Sequence, residues 1–384
     1  MVKENTMKQT EIGLLPEDWD VKKISQISQI RTGGKNTQDK IENGLYPFIV
    51  RSQTVERINS YSFDGEAILT AGDGVGVGKV FHYLNGKFDY HQRVYSISNF
   101  DKNVSGFYFF KYFQNNFYYR IMQMTAKSSV DSVRMETIAD MQIPLPPLPE
   151  QEAIAEALSD ADAWIESLEQ LIAKKRLIKQ GAMQELLTPK EDWRLKKLGD
   201  MGNIVIGLTY SPNDVRDFGT LVLRSSNVQN NKLAFENNVY VDMDLPERVI
   251  VKENDLLVCV RNGSKNLIGK CALIDKKTEG QAFGAFMSVV RSDFGKYLYH
   301  YFQTYHIQTQ IDENLGATIN QLTNATLKSF DINLPKSLTE QTHIATILSD
   351  MDAELEALEV QLGKARKVKQ GMMQELLTGR VRLV

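Results

Sequence analysis

The chain repeats itself, and that constrains its fold before any local propensity does. Gln151 to Thr188 contains SDADAWIESLEQLIAKKRLIKQGAMQELLT, and Gln341 to Thr378 contains SDMDAELEALEVQLGKARKVKQGMMQELLT. The Ser-Asp, Lys-Gln-Gly and Met-Gln-Glu-Leu-Leu-Thr blocks align without a gap. Each segment follows a similar lead-in, Ile143-Pro-Leu-Pro-Pro-Leu148 before Glu150-Gln151 and Ile332-Asn-Leu-Pro-Lys-Ser-Leu338 before Glu340-Gln341. Upstream, Trp19-Asp-Val-Lys-Lys-Ile echoes Trp193-Arg-Leu-Lys-Lys-Leu, and Ile49-Val-Arg-Ser echoes Val222-Leu-Arg-Ser, which pairs Arg51 with Arg224. Gly78-Lys79 echoes Gly269-Lys270, and Tyr112-Phe-Gln echoes Tyr301-Phe-Gln. The offset widens between Arg224 and Gly269, so the second copy carries extra residues there. The order is domain, helix, domain, helix.

The helices follow from spacing. Ile154, Leu158, Ala161, Ile165, Leu168 and Ile172 step by alternating fours and threes, as do Ile344, Leu348, Met351, Leu355, Leu358 and Leu362. A period of about 3.5 residues makes a coiled-coil seam. Pro149 suits a first turn, where its missing N–H costs nothing. At about 38 residues each helix is roughly 57 Å long and must bury its seam against a partner. Antiparallel pairing of the two would bury both seams, with a domain at either end about a pseudo-twofold axis. Lys174, Lys175, Arg176 and Lys179, and likewise Lys364, Arg366, Lys367 and Lys369, crowd the C-terminal halves. Dipole compensation on a solvated face is the favoured reading, and DNA contact the other.

The remaining segments read as mixed α/β. Short β-like runs at Tyr46–Val50, Ala67–Thr70, Val94–Ile97, Leu221–Arg224, Asp255–Val260 and Met287–Val290 are separated by Gly- and Asn-rich turns. The aromatic runs Phe107 to Tyr119 and Tyr297 to Tyr305 predict a helix late in each half. Recurrence at the same place favours core packing over base stacking. The expected fold class is α/β: two globular mixed α/β domains in tandem, with two long helices pairing as an antiparallel coiled coil. The expected boundaries are a first domain at 1–149, a first spacer helix at 150–189, a second domain at 190–338, and a second spacer helix with the C-terminal tail at 339–384.

Composition limits the function classes. The formal charge is −3, which does not advertise a nucleic-acid binder. No run of about 18 apolar residues occurs, so no membrane span is expected. No signal peptide is expected in the polar stretch Met1 to Asp20, and with only Cys259 and Cys271 a reducing cytoplasm is the expected location. Gly72-Asp-Gly-Val-Gly-Val-Gly-Lys79 fails as a phosphate loop, because Asp73 and Val80 stand where Gly and Ser or Thr are needed. It also fails as a dinucleotide fingerprint. Two readings of it stay open: a tight turn between strands, or a backbone that approaches a ligand closely. His82, His91, His300, His306 and His343 are scattered, so no metal site is expected. A Gly-x-Ser-x-Gly elbow, an Asn/Asp-Pro-Pro-aromatic base-holding motif and a clustered Pro-Asp…Asp/Glu-x-Lys nuclease pattern are all missing. The expectation is a non-enzymatic chain without its own cofactor.

This layout resembles the specificity subunits of type I restriction–modification systems. The resembling residues are Gly13-Leu-Leu-Pro16 with Trp19 and Lys23-Ile24, the strand Pro47-Phe-Ile-Val-Arg51-Ser52, the turn to Gly78-Lys79, and Gln92-Arg93. The Ile143 to Gln151 hinge and the terminal Lys369-Gln-Gly-Met-Met-Gln-Glu-Leu-Leu-Thr-Gly379 complete them. The second copy departs where Asp192 precedes Trp193 without a Gly-x-x-Pro lead and where Thr339 replaces the hinge proline. The resemblance implies that each globular half reads one half of a split double-stranded DNA target. It implies that the helices set the gap and dock two modification subunits, which carry S-adenosylmethionine and methylate adenine. Restriction subunits using ATP and Mg would join them. The alternative is a protein–protein scaffold whose coiled coil tethers two binding domains. A free-standing methyltransferase or nuclease is a third class, against which the missing motifs speak.

A split, asymmetric target needs halves that share a scaffold and differ where bases are read. Trp19 and Trp193 are shared and read as core. Arg51, Ser52, Arg224 and Ser225 are shared, and either anchor a loop or hold phosphate. In the first half the candidate DNA contacts are Arg31, Lys35, Asn36, Asp73, Gly74, His91, Gln92, Arg93, Lys127, Ser128 and Arg134. In the second they are Thr209, Tyr210, Asn227, Arg261, Asn262, Lys265, Asn266, Thr318, Asn320 and Gln321. Arg suits guanine, and Asn or Gln suits adenine, through paired hydrogen bonds.

Overall fold

A computed structural model describes residues 6–124, 132–315 and 320–383. The chain forms two compact units, Met1–Glu169 with Val360–Val384, and Gln170–Glu359. Each long helix therefore contributes one half to each unit.

In the first unit the elements are β1 (Asp20–Lys23), β2 (Gln29–Thr32), β3 (Tyr46–Ile49), β4 (Glu56–Ile58), β5 (Phe63–Ala71), β6 (Phe81–Tyr90), β7 (Val94–Ser98), α1 (Gly106–Met124), β8 (Gln142–Leu145) and the first long helix α2 (Leu148–Leu186). A six-stranded sheet has the order β2-β7-β5-β6-β3-β4. Only β3 and β6 pair in parallel, with Phe48 opposite Asp89 and Ile49 opposite Tyr90. Strands β1 and β8 form a separate antiparallel pair.

The second unit holds β9 (Arg194–Lys197), β10 (Asn203–Ile206), β11 (Thr220–Leu223), β12 (Leu256–Cys259), β13 (Cys271–Leu273), β14 (Ala282–Phe283), β15 (Met287–Arg291), α3 (Gly295–Tyr301), α4 (Tyr305–Asn314), β16 (Asp331–Leu334) and α5 (Leu338–Leu376). Here the sheet is split in two, with β10-β15-β12-β13 as one of the parts. The split has a local cause. Where β6 runs unbroken, the second copy turns after Leu273: Asp275 Oδ1 accepts the Thr278 N–H at 2.8 Å, and Gly280 sits at φ +88°.

The aromatic helix of each half is core. Tyr108, Phe109, Phe113 and Phe117 of α1 are buried with Trp19, and Phe113 stacks on Phe117 with ring centres 4.4 Å apart. In the second unit the aromatic run breaks at Phe302 into α3 and α4, and Tyr297, Tyr301 and Ile307 fill the equivalent core. Trp193 departs from Trp19: it is only half-buried. The Trp19 indole N–H donates to Glu150 Oε2 at 3.1 Å, and the Arg382 guanidinium lies 5.7 Å from the ring centre.

The repeated hinge glutamines have a structural task. Gln151 Nε2 donates to the Pro146 carbonyl at 2.8 Å, and Gln341 Nε2 to the Pro335 carbonyl at 2.6 Å. Each is buried at the first turn of its helix, where backbone groups lack intrahelical partners. The seams bury Ile154, Leu158, Leu168 and Ile172 on α2, and Ile344, Leu348 and Leu355 on α5. Ile165, Leu358 and Leu362 are half-buried. Within each unit the helices run antiparallel. In the first, Ile154 and Leu158 share a core with Leu376, Asp162 meets Lys369, and Glu169 meets Arg366 at 2.6 Å. In the second, Lys175 meets Glu354 at 2.6 Å, Arg176 meets Glu359 at 2.7 Å and Lys179 meets Asp352 at 2.5 Å. These ion pairs give several of the basic residues a use that neither sequence reading had offered: they meet the acidic N-terminal half of the partner helix.

Candidate nucleic-acid interface

In the first half, β5 ends at Ala71 and the chain must turn before β6. A Cβ on Gly72 would lie 2.8 Å from the Tyr95 ring, and one on Gly76 would lie 2.6 Å from the Arg51 carbonyl oxygen. Gly74 and Gly78 take φ +75° and +67°, conformations that favour glycine. The glycines thus let the turn lie flat against neighbouring backbone. It delivers Asp73 between Arg51, which follows β3, and Arg93, which precedes β7. Arg51 Nη1 donates to Asp73 Oδ1 at 2.8 Å, and Arg93 Nη1 donates to Oδ2. The Asp73 side chain is 15% exposed against 43% and 62% for the two arginines, so a sheltered acid holds two outward-facing guanidinium groups.

Electrostatics fit this clamp. Burial pulls the Asp73 pKa up, but the hydrogen bonds and charges of Arg51 and Arg93 outweigh it and hold the carboxyl below its ordinary value. Burial, assisted by Arg51, lowers the pKa of His91. Its Nδ1 accepts the Arg93 N–H at 3.0 Å, which fits a neutral ring. Gln92 Nε2 donates to Asn36 Oδ1 at 2.7 Å, and His91 pairs with Lys35 in a parallel bridge.

The same backbone frame recurs in the second half with different side chains. The Gly72 N–H donates to the Arg93 carbonyl, and the Val133 N–H to the Gly72 carbonyl, both at 2.8 Å. Correspondingly, the Val260 N–H donates to the Phe286 carbonyl at 3.0 Å, and the Leu322 N–H to the Val260 carbonyl at 2.8 Å. Asp73 bridges to Ser132, and Arg261 bridges to Gln321. Lys35 with His91 is matched by Leu208 with Gly284. Arg261 therefore stands where Asp73 stands, Phe286 where Arg93 stands, and Thr209 where Asn36 stands. The Arg261 guanidinium lies 5.1 Å from the centre of the Phe286 ring.

Strand register corrects the pairing of Arg51 with Arg224. Val222 lies opposite Ala282 and Leu223 opposite Phe283, so Leu223 matches Ile49 and Ser225 matches Arg51. The shift arises because the second copy enters a 3-10 turn at Ser225–Asn227, closed by Asn227 Oδ1 accepting the Arg224 N–H at 3.0 Å. Arg224 Nη2 instead donates to the Asn237 carbonyl at 3.1 Å, an anchoring role.

Two chain segments matching one family now meet the geometry. The family model described as "Type I restriction modification DNA specificity domain" matches residues 16–175 and 190–362. The chain belongs to this family. It is similar to the Type I restriction enzyme MjaVIII specificity subunit of Methanocaldococcus jannaschii, at 24% identity over 99% of this chain and 97% of that protein. The Escherichia coli Type I restriction enzyme EcoDI specificity subunit is 30% identical over 46% of this chain and 38% of its own length. In fold the chain is similar to the S subunit of a type I restriction–modification system from M. genitalium, with TM-score 0.66 and 14% identity over 98% of both chains. The family role is recognition of DNA sequence.

In this family member the expected contact residues form two clusters, with others lying apart from them. Lys35, Asn36, Arg51, Asp73, Gly74, Gln92 and Arg93 come together in the first half. Ser225, Arg261, Asn262, Asn320 and Gln321 come together in the second: Asn262 Nδ2 donates to Ser225 Oγ at 3.0 Å, and Asn320 Nδ2 to the Gly263 carbonyl at 3.1 Å. Others make their contacts outside these two clusters. Arg31 donates to Gln29 Oε1 at 3.2 Å, Ser52 to the Thr54 carbonyl at 3.1 Å, and Arg134 caps a one-turn helix. Lys265 Nζ lies 3.6 Å from Asp312 Oδ1, Asn266 and Thr209 are exposed, and Tyr210 packs against the Leu221 core. Two residues depart from the surface expectation. Asn227 is fully buried, donating to the Ala234 carbonyl and to Asn238, and His91 is buried beneath Arg93. Both shape the surface from below it. Lys127, Ser128 and Thr318 lie outside the described residues. Sequence reasoning missed Phe286. Asp89-Tyr-His-Gln-Arg93 and Ala282-Phe-Gly-Ala-Phe286 share no identity, so only strand pairing brings them into register.

Proposed function

We propose that this chain is the sequence-reading subunit of a type I restriction–modification complex, and that each globular half reads one half of a bipartite double-stranded DNA target. The observation that supports this best is the pair of matched rims. The two frames use the same backbone hydrogen bonds, yet present Asp73 and Arg93 in one and Arg261 and Phe286 in the other. Such a design reads two different sequences from one scaffold. The reading domains are residues 1–149 and 190–338, the first spacer helix is 150–189, and the second spacer helix with the C-terminal tail is 339–384. The contact residues are those grouped around Asp73 and Arg261, together with Arg31, Ser52, Lys127, Ser128, Arg134, Thr209, Tyr210, Lys265, Asn266 and Thr318, and with Arg224, His91 and Asn227 supporting them.

The spacer helices set the gap between half-sites and dock two modification subunits. Trp164, on the first unit's part of α2, is exposed outside the seam; on the second unit's part Leu171 and Ile178, seven residues apart, are exposed likewise, and each patch suits a partner surface. The chain carries no catalytic step. S-adenosylmethionine belongs to the modification subunits, ATP and Mg to restriction subunits, and the complex works in the cytoplasm.

The test is to co-express the full chain with its neighbouring modification subunits in a methylation-free host and sequence the methylome. The expected result is methyladenine in a bipartite motif with unlike half-sites and a fixed gap. Salt-dependent binding without sequence preference would overturn the reading.

A further inference from the structure

We propose that Phe286 is the positioning residue for Arg261, and that this stacked pair reads a guanine in the second half-site. The proposal rests on the DNA-reading role above and deepens it, because it assigns one residue that sequence did not suggest and one base.

The geometry is specific. The Phe286 carbonyl accepts the N–H of Val260 at 3.0 Å and the N–H of Arg261 at 3.2 Å. The backbone that carries the ring is therefore fastened to the backbone that carries the cation. The ring lies beneath the guanidinium, 5.1 Å from its carbon, and is 54% exposed. Gly284 and Ala285 precede it and leave it unshielded by bulky neighbours. Among the described residues no hydrogen bond or ion pair holds the Arg261 guanidinium. Its five donors stay available, while the ring under its carbon limits where the side chain can lie.

A free, planar and oriented guanidinium matches the two acceptors, O6 and N7, that guanine shows in the major groove. Adenine offers one acceptor and one donor there, so it would leave a guanidinium donor facing a donor. The first half solves the orientation problem differently, with Asp73 occupying one edge of both Arg51 and Arg93. Two arginines held by Asp73 on one frame, and a single arginine at the Asp73 position over a ring at the Arg93 position on the other, would give the half-sites different base preferences.

The experiment uses the full chain in complex with its modification subunits. Binding is measured on duplexes in which each guanine of the second half-site is replaced in turn by 7-deazaguanine, which lacks the N7 acceptor. One replacement is expected to weaken wild-type binding about tenfold, and Arg261→Ala is expected to abolish that sensitivity, since it removes the donors that would meet O6 and N7. Phe286→Ala and Phe286→Leu are expected to cut discrimination at that position about tenfold and leave the other positions unchanged. Phe286→Tyr and Phe286→Trp should retain it. Thermal midpoints equal to wild type show that the effect is not unfolding, and Phe286→Leu keeps the test usable if the alanine variant fails to fold. Wild-type discrimination in both Phe286→Ala and Phe286→Leu would overturn the proposal while a bipartite target still stands. A second half-site with no N7-sensitive guanine would also overturn it. Absence of any sequence preference in the wild-type complex would instead overturn the underlying reading.

Discussion

Asp73 carries the residue-scale logic of the first rim. It neutralises one edge of Arg51 and Arg93, and it fixes where the rest of each guanidinium points. Asp73→Asn keeps the side-chain shape and removes the charge. Affinity for any duplex should rise, and its salt dependence should steepen by about one ion. The ratio of cognate to scrambled binding should fall by about tenfold. Arg93→Ala should lower the same ratio without raising non-specific affinity. Filter binding on cognate and scrambled duplexes, with the modification subunits present, checks both; a wild-type ratio in each variant removes the pair from the reading surface. The clamp also has a pH signature. Because the folded pKa of Asp73 is depressed, its contribution is fully present above the ordinary carboxylate pKa of about 4 and is lost only as pH falls through the lower folded value. Burial lowers the His91 pKa below its ordinary value, so above about pH 6.5 the ring accepts the Arg93 N–H. The cognate-to-scrambled ratio should therefore be the same at pH 8.0 and pH 7.0, and a fall over that interval would contradict the assignment.

At the scale of elements, the paired helices carry a matched polar cluster in their seam. In the first unit Asp162 meets Lys369 and Lys111, the latter at 2.8 Å. In the second Asp352 meets Lys179 at 2.5 Å, with His300 Nδ1 3.9 Å from Oδ2. Partly buried charges of this kind fix register, because any slip leaves one of them unpaired. Lys179→Glu should cost on the order of 2 kcal/mol in urea unfolding, and Lys179→Glu with Asp352→Lys should recover much of it. The two clusters differ in one member, and that gives them different pH behaviour. Burial pushes the pKa of His300 down to about 4, outweighing the pull of Asp352. The unfolded chain then binds the proton more readily. The stabilisation is complete above pH 6.5 and declines towards pH 4, by at most about 1.4 kcal/mol per pH unit. Urea midpoints at pH 7.5 and 5.0 should differ in the wild type, and His300→Gln should narrow that difference; an unaltered difference would place the proton elsewhere. The seam itself was legible in the sequence, because a 3.5-residue period survives any environment. The cross-helix ion pairs were not, since they depend on antiparallel direction. The Arg-Ser echo misled by one residue, because a 3-10 turn at Ser225 absorbs the difference that an ungapped alignment cannot see.

At the scale of the molecule, the family assignment joins two observations that neither charge nor composition supplied. A chain of net charge −3 belongs to a family that recognises DNA, and several of its cations face acids across the seam. In the proposed function the repeat supplies two readers, and the matched helices supply the distance between what they read. That makes helix length a determinant of target spacing, and it can be changed without touching either rim. A four-residue insertion in α2 is a stutter, which a coiled coil absorbs by local unwinding rather than by losing its seam. At 1.5 Å per residue it adds about 6 Å, and duplex DNA rises about 3.4 Å per base pair, so the preferred gap should change by on the order of one to two base pairs. Both half-site sequences should stay as they are, because Asp73, Arg93, Arg261 and Phe286 keep their surroundings. Methylation-site sequencing of cells carrying the inserted chain and its modification subunits reads gap and half-sites together. An unchanged gap with full methylation would show that something other than the helices measures the DNA. Altered half-sites with an unchanged gap would show that the helices orient the readers instead of spacing them.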